Sequence, residues 1–81
     1  MENRIERYDR DGMLNLVLVS LISSDRLVNS KECEKALVKL KDLEKDFETA
    51  NIKNREFYKK FFIDGKEIIE RDLENFKKNG R

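Results

Sequence analysis

A chain of 81 residues, with one cysteine, no histidine, no proline, 43% charged residues and a formal net charge of +1, has room for one domain and one small core. That composition excludes an internal disulfide, a histidine-based catalytic or metal site, and the strong charge imbalance that by itself marks a nucleic-acid or membrane partner. A domain of this size buries only about 60–65% of the surface its unfolded chain exposes, so self-association or very regular helix packing must supplement the core.

Lys and Glu are interspersed rather than blocked, as on solvated helix faces. Residues 51–81 carry nine Lys/Arg against six Asp/Glu, a small basic excess. Two Ala and no Pro beside many Lys, Asn and Ile suit an AT-rich genome, such as that of a low-GC bacterium or its phage. The N-terminus alternates acids and bases, with no small-residue cleavage site, and so reads as lacking a secretory signal. The apolar stretch Met13–Ile22 falls well short of the roughly 20 residues that span a bilayer. A free thiol without a signal peptide suits a reducing, cytoplasmic location.

The first helix is expected over residues 4–23. Asn3 followed by Glu6 has the spacing of a capping box, in which the Asn side chain accepts from an orphan amide while Glu reaches back. At about 100° per residue, Ile5, Tyr8, Gly12, Leu16, Val19 and Ser23 fall on one unbroken face. Gly12 costs roughly 1 kcal/mol relative to Ala and is the natural place for a kink or break. The opposite face begins with Arg7 and Arg10 and turns into Leu14, Val17, Leu18 and Leu21. Apolar residues on both sides mean burial on both sides. Either the helix is sandwiched by two others or these four residues form a subunit or partner contact; the contact is preferred, because two helices are few to cover both faces. A strand is set aside, since no second strand-like run exists to pair with this one.

Ser23–Asn29 is expected to turn into a second helix, 30–50, with Asn29 and Glu32 repeating the capping pattern and Val28 folding over Cys33. Cys33, Ala36, Leu40, Leu43, Phe47 and Ala50 keep heptad-like spacing, so Cys33 reads as a buried structural thiol. A third helix, 54–78, is capped by Asn54 and ends at Asn79-Gly80. Its apolar arc holds Phe57, Tyr58, Phe61, Phe62, Ile68, Ile69, Leu73 and Phe76, with Gly65 at the centre allowing close helix approach. Short connections between long helices make neighbours antiparallel. The expected fold is all-α: one domain over residues 1–81, a small antiparallel three-helix bundle packing into a homo-oligomer.

Catalytic chemistry has little to stand on. A Ser or Cys nucleophile lacks its usual base, and no glycine-rich phosphate loop exists. The stretch Asp9-Arg10-Asp11-Gly12 matches the centre of a calcium loop, but the first and last ligand positions then fall on Arg7 and Leu18. Carboxylate pairs such as Glu67 and Glu70 lie on a solvated face. No enzyme activity, cofactor or metal is expected.

Two polar residues sit where the pattern wants apolar ones. Asn15 lies at the edge of the first helix's core face, and Asp72 in the middle of the third helix's arc, with Arg4 or Arg26 as candidate partners. The leading functional expectation is a non-enzymatic protein–protein interaction module, an inhibitor, adaptor or phage or mobile-element effector that self-associates and occludes a partner through Leu14, Val17, Leu18 and Leu21. The alternative is a nucleic-acid module in which Lys53, Lys59, Lys60, Lys66, Lys77 and Lys78, on the basic edge of the third helix, contact phosphates. A second alternative is a bundle holding a small ligand beside Asp72, Tyr8 and Tyr58.

Overall fold

The structure, a computed structural model, describes residues 2–79. The fold is all-helical among these residues, with four helices where three were expected: α1 (Arg4–Arg10), α2 (Leu14–Leu21), α3 (Ser30–Thr49) and α4 (Arg55–Lys78).

The extra helix arises at Gly12. α1 starts with the expected capping box: the Asn3 side chain accepts from Glu6 N at 3.0 Å, and Asn3 N donates to Glu6 Oε1 at 2.9 Å. It stops seven residues later, where Gly12 adopts φ +71, the left-handed region that favours glycine. Met13 N donates to Tyr8 O at 2.8 Å and Gly12 N to Asp9 O at 3.1 Å, the paired bonds of a Schellman C-cap. α2 then restarts from Met13 in a new phase. Leu14, Leu18 and Leu21 now point inward at 1%, 0% and 2% exposure, with Val17 half-buried. Leu16 and Val19, which a continuous helix would keep on the inner face with Ile5 and Tyr8, stand outside at 64% and 44%. Asn15, expected at the core's edge, is exposed.

After a turn closed by Arg26 N and Leu27 N on Ser23 O, α3 is capped by the Asn29 side chain on Glu32 N at 2.9 Å. Cys33, Ala36, Leu40, Leu43 and Phe47 are buried in the expected order. Val28, expected to fold over Cys33, is left 55% exposed. At the far end Arg55 Nη1 donates to the carbonyls of Phe47 and Ala50 while its guanidinium lies 4.6 Å over the Phe47 ring, so one side chain closes the end of α3. Asn54 does not cap α4 by its side chain as expected; it makes the corner in the left-handed region, at φ 59 and ψ 35. α4 ends at Lys78 with Asn79 as its cap residue, and Gly80 lies outside the described residues.

α3 and α4 run antiparallel. Phe47 packs against Phe62 in a tilted pair with ring centroids 5.0 Å apart, Glu44 pairs with Lys66 and Glu34 with Lys77, so positions rise on one helix as they fall on the other. Phe62, Gly65 and Ile69 form the buried ridge of α4, while Phe57, expected in its apolar arc, is exposed. Gly65 does permit close approach: a Cβ there would lie 3.3 Å from Leu40 Cδ2 and 3.4 Å from Ile22 Cγ2. That glycine is where α3, α4 and the end of α2 converge. α1 is fastened to the C-terminal third of α3 by polar groups, with Arg4 bonded to Asp46 at 2.8 Å and Asp42 at 2.9 Å, and Asn3 Nδ2 bonded to Asp46 O at 2.9 Å.

Candidate interaction surfaces

The phase change at Gly12 decides which residues can meet a partner. Leu14, Leu18 and Leu21, expected as the contact, are core residues of the single chain, in one cluster with Ile5, Leu40 and Ile69. Val17 packs against that cluster. Exposing Leu18 would leave an uncompensated hole, at a cost of about 2–5 kcal/mol for a buried Leu. These side chains hold the bundle together.

The outer face of α2 takes their place. Leu16 and Val19 line a shallow groove with Val28, across the turn that joins α2 to α3, and Met13 is also half-exposed. Both charge signs occur around the groove, from Asp25, Arg26 and Glu32. The feature grows directly from local structure: the Schellman cap turns Leu16 and Val19 out, and the turn into α3 leaves Val28 beside them.

Two of the six lysines expected on the basic edge of α4 are tied to α3. Lys66 Nζ meets both carboxylate oxygens of Glu44, at 2.9 and 3.0 Å, and Lys77 lies 3.7 Å from Glu34. Both are cross-links between α3 and α4. Lys59 shares a cleft with Glu44, Glu48 and Glu56. Lys53, Lys60 and Lys78 are exposed, but Lys60 and Lys78 lie at helical spacing among Glu56, Glu67 and Glu74.

The strongly basic surface lies instead on α3, where sequence reasoning did not place one. A groove along its outer side is lined by Arg4, Lys31, Lys35, Lys39, Lys41 and Lys45 against only Glu34 and Asp42, with Val38 at the centre. At 69% exposure Val38 is the most exposed large apolar residue described. The whole of α3 carries five Lys and six acids, so composition hides the asymmetry. The acids are drawn to neighbouring helices, Glu44 to Lys66 and Asp42 and Asp46 to Arg4, and the lysines are left outside. A helical wheel interleaves the lysines and acids of α3, so the sequence alone carries no signal for this face.

Asp72, Tyr8 and Tyr58 do not converge on an interior site. Each is half-buried, and Asp72 lies 14 residues from Tyr58 on the same helix, about 21 Å at 1.5 Å per residue. Arg4, one candidate partner for Asp72, is taken by Asp42 and Asp46. Among the described residues no polar or charged side chain is buried. The Cys33 thiol is fully buried, and burial, reinforced by the nearby charge of Asp72, pushes its pKa up, opposite to what a reactive thiolate needs.

No helix of the described residues is long and apolar enough to cross a membrane. Comparison with protein-family models, curated proteins and solved structures finds no match to this chain.

Proposed function

We propose that the chain is a non-enzymatic, cytoplasmic helical interaction module that self-associates and acts by covering a surface of another protein. The observation carrying the self-association is the outer face of α2. Met13, Leu16, Val19 and Val28 stay 44–64% exposed beside a core whose own residues are nearly inaccessible. A second copy of the chain fits this face best. An isologous pairing needs both charge signs on one rim, and Asp25, Arg26 and Glu32 supply both.

The magnitude sets the stoichiometry to expect. Fully burying one such side chain yields about 1.5–3 kcal/mol, so a two-fold dimer covering four half-exposed ones on each copy yields roughly 6–12 kcal/mol. Association costs of similar size oppose this, which predicts a dimer that dissociates on dilution. Light scattering after size exclusion, run from micromolar to millimolar protein, tests it. The expected result is a mass that doubles with concentration in the natural chain and stays monomeric in Leu16→Glu with an unchanged thermal melt. A monomer at every concentration, or a dimer that Leu16→Glu leaves intact, overturns the self-association.

A further inference from the structure

The outer side of α3 is a second surface with a different chemistry, and its charge narrows what can sit on it. Six cations against two carboxylates line it around Val38, and since Arg4 is held by both Asp42 and Asp46, the free positive charge of this face is that of the lysines. The chain as a whole is +1, with 18 bases and 17 acids, so the remainder holds 12 bases against 15 acids. Both acids of this groove already have partners, Asp42 in Arg4 at 2.9 Å and Glu34 in Lys77 at 3.7 Å. Lys35 reaches Glu32 at 3.6 Å, whereas Lys31, Lys39, Lys41 and Lys45 have no ion pair among the described residues. Lys31 to Lys45 spans 14 residues, about 21 Å along one helix.

We infer that this face docks an acidic amphipathic helix of a partner protein, its apolar stripe seated on Val38 and the lysine stems and its carboxylates ranged against the ammonium groups. Three features select this occupant over other anions. Lysine stems beside Val38 form an apolar floor with charged rims, the shape an amphipathic helix lays its face into. Nucleic-acid phosphates would gain nothing from an exposed valine. A membrane surface needs several large apolar residues to insert, and this face offers one valine. The inference rests on the chain being a protein-binding module, but on a face separate from the α2 groove.

The test uses the full chain and a labelled synthetic peptide, a helix with a leucine stripe flanked by glutamates, with binding followed by fluorescence anisotropy. A short labelled DNA duplex is titrated in parallel. The expected result is saturable peptide binding that the combined Lys31→Glu, Lys41→Glu and Lys45→Glu variant weakens about tenfold or more, a loss of about 1.4 kcal/mol or more. Val38→Ser weakens it about threefold, and Lys53→Glu, Lys60→Glu and Lys78→Glu on the α4 side change it less than about twofold. The exchanged side chains are exposed, and a thermal melt of each variant checks the fold. Peptide that does not saturate, equal losses from the α3 and α4 sets, or a duplex that binds as tightly as the peptide each overturns the inference. Repeating the titration in Leu16→Glu separates the two proposals: retained binding in a monomer sustains this one whatever becomes of self-association, and binding lost with the dimer overturns it.

Discussion

The α3–α4 hairpin and the α1–α2 arm bury the same kinds of side chain by opposite means. In the hairpin one apolar face runs unbroken along each helix, so spacing alone says which residues point in. In the arm a single left-handed residue cuts the chain into helices of seven and eight residues and resets the phase between them. Neither short helix is long enough to be stable alone in water, where about 12–15 residues are marginal. The arm therefore exists because the hairpin receives it, through Ile5, Leu14, Leu18 and Leu21 in the core and through Arg4 and Asn3 on the C-terminal third of α3. Periodicity is trustworthy only between residues that break phase.

That contrast can be strained experimentally, beginning with the hairpin. Phe62→Ala removes a fully buried ring packed on Phe47 and is expected to lower unfolding free energy by about 3–5 kcal/mol in a urea titration, whereas Leu16→Ala on the arm's outer face changes it by less than about 0.5 kcal/mol. Comparable losses at both sites would mean α2 faces the core with the other side. Next is the point where arm and hairpin meet. Gly65→Leu must displace Leu40 and Ile22, already 3.3 and 3.4 Å from a Cβ there, and is expected to cost about 1–3 kcal/mol.

Gly12→Ala gives a smaller effect whose sign is the informative part. Nothing lies within 4 Å of a Cβ at Gly12, so only the φ of +71 opposes the substitution, at about 1 kcal/mol destabilising. In a continuous helix over 4–23 the same change would stabilise by roughly 1 kcal/mol, so the direction of the shift in melting temperature decides between the two.

The smallest effect comes from pH. The Glu6 carboxylate accepts the amides of Asn3 and, at 2.9 Å, Asn51, and these bonds hold its pKa below the usual value. A lowered folded pKa means that the unfolded chain binds the proton more readily. The contribution is thus complete above the ordinary carboxylate range and disappears as pH falls through the folded pKa. Glu6→Gln is expected to flatten the acid side of the stability profile below about pH 4.5, measured as urea midpoint against pH. An unchanged acid limb would show that these two bonds do not differ between the folded and unfolded chain.

Much of the hairpin was legible in the residues. The expected spans 30–50 and 54–78 match Ser30–Thr49 and Arg55–Lys78, because heptad-like spacing, Asn29 and the terminal lysines act locally and agree with one another. The interaction surface was less legible for two physical reasons. Gly12 marks a break without revealing its geometry, and it is the Schellman cap that exchanges Leu16 and Val19 for Leu14 and Leu18 as inward residues. Charge counts along the chain pointed to residues 51–81, while the basic excess on α3 arises only once Glu44, Asp42 and Asp46 find cations on other elements.

Cys33 gives the molecule a built-in clock. Its sulfur is sealed near the start of α3 and its proton is held tightly, so a thiol reagent must wait until this end of the bundle comes apart. The lag before modification then counts how often α3 parts from its neighbours there, a rate for a local breathing motion in a protein that carries no other thiol to confuse the reading.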